Sequence, residues 1–400
     1  MAKKLRIDWF LFAVAAGLAL FGSVMVYSAS AMISLKETGG QTQYAYFYKQ
    51  FIFTLVGLGV MYATSRIHYR WYQQKWFVYG FLTITLILLL AVFGFPAING
   101  AHRWVRFPGM SFQPSELAKL ALPVFLAYFL TKNEDLVGDF RETVLPCAMI
   151  LAFLGGLIFF EPDLGTLIVL CGIFVSVYFS AGAKLLHIAT AVLILFSVGA
   201  AAIVFAPWRM RRLMAFLEPC SEENRISAGY QVCQSLMGIG SGGIFGEGFA
   251  HGQQKLFYLP YPYSDFIFAN IGEELGLVGT LAIVAAFLIL LWRGTRAALL
   301  APDRFGMLLG IGIITGIIVQ ALFNISVVIS ILPAKGIPLP FISYGGSSII
   351  ITLFAVGILL NISQHAGFVS FEKGIHATKT SRKTRKKLKK RKPVKRRTRR

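Results

Sequence analysis

The residues of this sequence that could do chemistry are charged side chains at the borders of long apolar stretches. Glu116 and Lys119 stand three positions apart at the start of one stretch, so they share one face of a helix. Such a pair either lines a catalytic cavity or neutralises itself as a structural ion pair. Asp265 stands where a long polar segment returns to apolar sequence. A carboxylate half removed from water there has a raised pKa and suits a general base, and its alternative role is N-cap of the following helix.

Further motifs place polar residues at similar borders. EPDLGT (161–166) carries two carboxylates at a turn, and Glu273 and Glu274 lie about two turns into the stretch after the polar segment. The glycine-rich run 238–248 lacks the GK[ST] ending of a phosphate loop, which leaves a flexible loop or an anion nest. Paired His residues, a Gly-x-Ser-x-Gly elbow and a Cys/His dyad are all absent from the sequence. Hydrolase and metalloenzyme classes therefore have no support from the residues.

The amino-acid composition indicates the environment in which these groups are positioned. The 400 residues are 56% hydrophobic and 14% charged, with a mean hydropathy of +0.66. A soluble chain carries about 25% charged residues, so this one could not cover its own surface in water. The sequence therefore predicts that most of the chain lies in lipid.

Spanning the hydrocarbon of a bilayer takes about 20 mostly apolar residues. Ten stretches approach that length: 9–31, 47–65, 76–95, 116–131, 143–160, 165–181, 185–207, 266–292, 305–331 and 343–363. We predict an all-α, polytopic transmembrane helical bundle with about ten helices and a long extracytoplasmic loop, 208–265. The membrane domain is predicted over residues 1–365, followed by a basic, disordered cytoplasmic tail, 366–400.

Basic residues set the predicted orientation. Every second connection is basic and is therefore cytoplasmic, and an even helix number puts both termini there. These residues are Lys3, Lys4, Arg6, Arg66, Arg70, Lys75, Lys132, Arg141, Lys184, Arg293, Arg296 and Arg304. The segment 379–400 holds fifteen Lys and Arg and no acid, and it supplies most of the net charge of +21. Such a tail is typical of a topology determinant that touches anionic lipid, with docking of nucleic acid or of a protein partner as the alternative.

Two predicted outer segments break the charge rule, which suggests an anionic ligand there. Their cations are Arg103, Arg106, Arg209, Arg211 and Arg212. A third outer segment, PAKGIPLPFISYGGSS (333–348), has three prolines and three glycines between apolar stretches. Irregular backbone at membrane depth is tolerated only inside protein or along a cavity, so we expect this segment to fold back into the outer mouth of the bundle.

The sequence contains four cysteines. Cys147 and Cys171 lie in apolar stretches and are expected to be inert core residues. Cys220 and Cys233 lie thirteen positions apart in the long outer loop, where a disulfide can form. The run around Cys233, GYQVCQSLM, is typical of a short interfacial helix that buries it, so the sequence favours two free thiols over a bridge.

Five strings, in this order, resemble the SEDS family (shape, elongation, division and sporulation): GAHRWVRFPGMSFQPSELAK, EPDLGT, GYQVCQSLMGIGSGGIFGEGF, QKLFYLPYPYSDFIFANIGEELGLVG and PAKGIPLPFISYGGSS. Together they span about residues 10 to 365. Lys335 and Gly336, which precede PLPFISYGGSS in the last string, are more similar to the division (FtsW) branch than to the RodA branch.

The resemblance implies a glycosyltransferase that polymerises lipid II into peptidoglycan strands during cell division. The essential aspartate of the family falls on Asp265, which implies the general base. Substrate-binding roles are expected for Glu116, Lys119, Arg103, Lys335, Ser343 and Ser347. A class B penicillin-binding protein transpeptidase and other divisome proteins are the expected partners, at the division site of the bacterial inner membrane. No nucleic acid and no protein-ligated metal site are expected, and a divalent cation, Mg²⁺ or Mn²⁺, stays open as a cofactor.

One departure from the family pattern lies beside the aspartate. The family usually has YLPE followed by His-Thr-Asp-Phe, and here Tyr261, Tyr263 and Ser264 replace the acid, the imidazole and the threonine. Two other functions stay in play, a lipid II flippase that uses the same cavity and a scaffold that activates a partner transpeptidase.

Overall fold

The computed structural model describes residues 7–97, 101–107 and 110–365. The predicted basic tail, 366–400, and the cations Lys3, Lys4 and Arg6 lie outside the described residues.

The regular secondary structure of the described residues is helical apart from one short hairpin. The helices are α1 (Trp9–Glu37), α2 (Ala45–Arg66), α3 (Lys75–Ala91), α4 (Pro114–Lys132), α5 (Leu145–Phe160), α6 (Leu164–Ser180), α7 (Leu185–Val204), α8 (Pro207–Leu217), α9 (Tyr230–Gly242), α10 (Ile267–Leu299), α11 (Arg304–Val328) and α12 (Gly346–His365). Strands β1 (Val105–Phe107) and β2 (Met110–Phe112) pair antiparallel directly before α4. The ten predicted stretches correspond to α1–α7 and α10–α12, which confirms the all-α fold class.

Six of the described helices are long and apolar enough to cross a membrane, judged by length and composition. They are α1, α3, α5 with the turn before it, α10, α11 and α12. α6 is a shorter apolar helix. The chain is therefore a multi-pass membrane protein, and the count of ten spans stays a prediction.

Helix α11 forms the centre of the bundle. Of its apolar stretch, 72% is buried inside the protein, compared with 22% of the apolar stretch of α10. Its glycines permit that burial. A Cβ at Gly312 would overlap Pro123 of α4, and one at Gly310 would lie 2.8 Å from the Cβ of Ala298 of α10. The glycines of α11 therefore allow close packing of helices.

The long segment between α7 and α10 is more ordered than the predicted loop. Its glycine-rich run lies against the first turns of α10, where a Cβ at Gly242 would overlap the carbonyl oxygen of Gly272. The backbone N–H groups of Glu247 and Gly248 donate to the carbonyls of Glu273 and Glu274, at 3.0 and 3.1 Å. The prediction of a flexible loop or anion nest is therefore wrong, because these N–H groups and the missing side chains serve backbone-to-backbone packing.

The prediction of two free thiols in this segment is also wrong. Cys220 and Cys233 form a disulfide with a Cα–Cα distance of 5.1 Å. Gly229 makes the turn possible, because a Cβ there would lie 2.6 Å from the carbonyl oxygen of Pro219. Cys233 is buried on α9, as expected, and the turn brings Cys220 to it.

Candidate functional site

Asp265 ends the long loop and directly precedes α10. The N-cap of α10 is Phe266 and has no side-chain capping bond, so the N-cap role for Asp265 is wrong. Its backbone carbonyl accepts a hydrogen bond from Asn324 Nδ2 at 2.7 Å. Among the described residues its carboxyl group makes no hydrogen bond and no ion pair. Asn324 of α11 thus holds the backbone of Asp265, and no described residue engages its carboxylate, which is available for chemistry.

The segment 333–345 is irregular and folds into the bundle, as predicted. Ile337, Leu339, Phe341 and Ile342 on it are at most 3% exposed. It meets the catalytic candidate at Gly336, where an added Cβ would lie 2.7 Å from Asp265 Oδ2. Only glycine lets the backbone approach this carboxylate so closely.

Two amides one turn apart on α11 hold that segment. Gln320 Nε2 donates to the carbonyl of Pro338 at 2.8 Å, and Asn324 Nδ2 donates to that of Ile337 at 2.7 Å. Asn324 therefore joins the segment to the backbone of Asp265. Neither amide was predicted as a site residue, although their spacing of four positions in an otherwise apolar helix was a signal in the sequence.

Glu116 and Lys119 form a buried ion pair at 2.8 Å, with side chains 2% and 12% exposed. Ser348 Oγ donates to Glu116 Oε2 at 3.1 Å, and Lys119 Nζ also donates to Gln320 Oε1. The pair lines a small cleft between α4, α11 and α12. Through Gln320 it is connected to the segment that faces Asp265.

Arg103 fastens the EPDLGT turn beside the same aspartate. Its Nε and Nη2 donate to the carbonyls of Glu161 and Pro162 at 3.1 and 2.5 Å. Asp163 caps α6 through Thr166 and accepts from Gln113 Nε2 at 3.3 Å.

The carboxyl groups of this region differ in pKa. Burial raises the pKa of Asp265 to about 6, with Arg103 opposing the rise and Asp163 adding to it. Burial likewise raises the pKa of Glu161 to about 8, with the charge of Asp163 adding to the rise and Arg103 opposing it. At neutral pH a carboxyl group with a pKa of about 6 is mostly ionised and one with a pKa of about 8 is mostly protonated, so Asp265 suits a base better than Glu161 does.

The other predicted binding residues divide into two groups. Ser343 Oγ donates to the carbonyl of Ser264 at 2.6 Å and accepts from the N–H of Leu339 at 2.7 Å, so it braces the loop before Asp265. Ser347 Oγ accepts from the N–H of Gln113 at 3.4 Å and fixes the start of α4. Lys335 is partly exposed and directly precedes Gly336.

A tyrosine, Tyr263, occupies the position where the family pattern has a histidine. The ring of Tyr263 packs against those of Tyr46 and Tyr344, with centroid distances of 4.8 and 5.7 Å. The N–H of Tyr344 donates to the carbonyl of Tyr263 at 2.9 Å. This packing replaces any proton relay through a histidine at that position.

Glu273 and Glu274 serve structure. Glu274 is fully buried and pairs with Lys255 Nζ at 2.6 Å, while Ser28 Oγ donates to the same carboxylate. Glu273 accepts from the N–H groups of Gln253 and Gln254. Both acids anchor the long loop on α10. In the described part of the chain, no group of three or more His, Cys, Asp or Glu side chains is arranged to hold a metal ion.

Known proteins match this chain over most of its length. Residues 8–367 match the family FtsW/RodA/SpoVE, described as cell cycle protein. This chain belongs to that family. A probable peptidoglycan glycosyltransferase FtsW of Geobacter metallireducens is 41% identical over 362 residues, covering 90% of this chain and 95% of that protein. Stage V sporulation protein E of Bacillus subtilis is 38% identical over 372 residues, covering 92% of this chain and 99% of that protein.

Solved structures of the family share the fold. A structure described as the structural coordination of polymerization and crosslinking by a peptidoglycan synthase complex has a TM-score of 0.73 and 25% identity. It covers 91% of this chain and 99% of that one. The crystal structure of the rod shape determining protein RodA of Thermus thermophilus has a TM-score of 0.66 at 25% identity, covering 91% and 98% of the two chains. The resemblance to this family, with curated relatives named FtsW, is confirmed.

Proposed function

We propose that this protein is a peptidoglycan glycosyltransferase that polymerises lipid II during cell division, with Asp265 as the general base. The 4-hydroxyl of an acceptor disaccharide attacks the anomeric carbon of the donor, the C–O bond to undecaprenyl diphosphate breaks, and Asp265 takes the hydroxyl proton. The observation that carries the proposal is the Asp265 carboxylate beside Gly336, which has no hydrogen bond or ion pair to any residue that the structure describes and has a pKa of about 6. A base of that pKa is mostly ionised at neutral pH and still accepts a proton well.

The leaving diphosphate needs positive charge, and Arg103 acts on Asp265 and has a second arginine, Arg212, near it. Arg103 lies on the EPDLGT turn, and partial desolvation together with the charge of Arg103 lowers the pKa of Arg212 on α8. Two guanidinium groups that repel each other form a favourable site for a dianionic diphosphate. Lys335 supplies a third cation from the segment 333–345.

The buried Glu116–Lys119 pair acts through the backbone. Lys119 holds Gln320, and Gln320 holds the carbonyl of Pro338 in the segment that faces Asp265. We propose that this connection keeps the segment that faces Asp265 in the correct position relative to bound substrate, since small displacements of reacting groups lower reaction rates strongly.

A divalent cation fits the site best as a companion of the substrate. Mg²⁺ is commonly held by one or two carboxylates together with substrate phosphates. Asp265 offers one unpaired carboxylate, and the described residues form no cluster of three ligands. We propose that Mg²⁺ or Mn²⁺ arrives with the diphosphate.

The relatives support a proposal for the partner and the location. The solved complex with the same fold is described as coordinating polymerization and crosslinking. We propose a class B penicillin-binding protein transpeptidase as the partner and the divisome at the inner membrane as the location, with both termini cytoplasmic. The basic residues in every second connection support that orientation.

The deciding experiment is strand synthesis from purified lipid II with the full-length protein, with and without its partner transpeptidase. Asp265→Asn keeps the size of the side chain and cannot take a proton, so we expect polymerisation to fall by at least ~10²-fold. Asp135→Asn, at an exposed position away from the site, is the matched control and keeps full activity.

Near-normal polymerisation by Asp265→Asn would refute the general-base assignment. Lipid II movement across vesicles without any polymer would favour the flippase. Polymer synthesis by the partner alone would mean that this chain acts as a scaffold.

A further inference from the structure

A polar basin lies at the opposite end of α4 from Glu116. Arg70, Gln73, Gln74, Tyr128, Thr131 and Lys132 line it, between the turn 69–73, the start of α3 and the end of α4. Its volume is about 490 Å³. α4 has 19 residues, so the basin is roughly 28 Å from the start of that helix and is separate from the candidate active site.

The lining carries positive charge and hydrogen-bond donors, and none of its six residues is acidic. Lys132 is exposed and makes no ion pair within the described residues, because Glu134 close to it pairs with Arg304 at 2.9 Å. Arg70 uses Nε for Asp303, at 2.7 Å, while its side chain stays 58% exposed. Its remaining N–H groups can therefore bind a further anion.

Two unsatisfied groups border the same space. The hydroxyl of Thr131 is buried and has no hydrogen-bond partner among the described residues. Gln74 is the N-cap of α3 and makes no side-chain capping bond, so the first N–H groups of that helix stay open. Open N–H groups at a helix N-terminus favour phosphate, and here they add to the cations of the lining.

Exposed aromatic residues on the same turn, 69–73, and at the start of α3 indicate where the ligand comes from. Trp71, Trp76 and Tyr79 are 40%, 61% and 41% exposed, and the two indole rings meet edge to face at 5.1 Å. Exposed Trp and Tyr at helix ends are typical of the membrane–water interface, the level at which lipid phosphates lie. An anion in the basin is therefore the headgroup of a membrane lipid more readily than a solute.

We propose that this basin binds the headgroup of an anionic phospholipid, with the phosphate held between Arg70, Lys132 and the start of α3. Basic pockets between transmembrane helices on the cytoplasmic side suit such headgroups. The site is independent of the glycosyltransferase chemistry and binds a structural lipid on the opposite face of the protein.

The test is native mass spectrometry of the full-length protein in detergent, titrated with phosphatidylglycerol and, separately, with phosphatidylcholine. We expect tighter retention of phosphatidylglycerol, and about fivefold weaker retention in Lys132→Gln, since one cation near the surface contributes about 1 kcal/mol. Gln73→Glu, which puts an acid in the basin without removing a contact, should weaken retention as well. Arg141→Gln, at an exposed residue of another connection on the same predicted side, is the matched control and should bind as wild type.

Equal retention of the two lipids would overturn the proposal. So would an equal loss in Arg141→Gln, which would indicate only general surface charge. Inorganic phosphate that displaces phosphatidylglycerol at equal concentration would show a free-phosphate site and overturn the lipid assignment. Thermal stability of each variant, measured in parallel, separates lost binding from misfolding.

Discussion

The disulfide between Cys220 and Cys233 makes a quantitative prediction about the long loop. The bridge closes a short ring, since the two cysteines are 13 positions apart. In the chain-entropy model a ring of about 14 residues loses about 10 cal/mol/K of entropy in the open state, which stabilises the closed loop by about 3 kcal/mol at 25 °C. Such a difference corresponds to roughly 10²-fold in the population of the open loop.

The variant of choice is Cys220→Ser, because Cys220 is exposed whereas Cys233 is buried on α9. We expect hydrogen exchange of α9 (Tyr230–Gly242), measured by mass spectrometry, to accelerate by up to about 10²-fold, since α9 would open locally more often. Peptides from α12, which is remote from the bridge along the chain, serve as the internal control and should not change. Reduction of the wild type should reproduce the variant.

Two outcomes would refute this reasoning. Exchange of α9 that is unchanged in Cys220→Ser would mean that the packing of the loop on α10, and not the bridge, sets its stability. Alkylation of both thiols without reductant would mean that the bridge does not form.

Three further predictions concern the site and the topology. Lys119→Met should lower lipid II turnover on the order of 10-fold to 10²-fold with a small change in thermal stability, because it releases Gln320 from Lys119; retained specific activity with a stability loss of about 3–5 kcal/mol would instead identify a purely structural pair. The acidic limb of the pH profile of kcat/KM should have a pKa near 6, because Asp265 must be ionised, and Arg103→Gln should move that limb to higher pH, since the charge of Arg103 lowers the pKa of Asp265; an unmoved limb would exclude Asp265 as the titrating group. Single cysteines at the exposed residues Gln41 and Glu222 should react with an impermeant thiol reagent from outside, and those at Lys75 and Arg296 should not, so labelling at Arg296 would mean that the helix count is wrong.

The apolar composition determined the fold class without any tertiary information. Lipid cannot hydrogen-bond a backbone, so apolar stretches such as those of α1 and α11 must be helical wherever they pack. Local spacing also determined the Glu116–Lys119 pair, since positions three apart share a helix face in any tertiary arrangement. Asp265 could be chosen from sequence because its place between a polar segment and an apolar stretch is itself a chemical signal.

Contacts between distant segments were decided only by the tertiary structure. Nothing local in the sequence shows that Asn324 binds the backbone of Asp265, that Gly336 lies against its carboxylate, or that the turn at Gly229 brings Cys220 to Cys233. The glycine-rich run was assigned wrongly for the same reason, because the N–H groups of Glu247 and Gly248 find their partners at the start of α10, 26 residues further along the chain. Sequence patterns report the solvent and the helix face of each residue, whereas the choice between a capping, packing or catalytic role depends on which atoms the fold brings within hydrogen-bond distance.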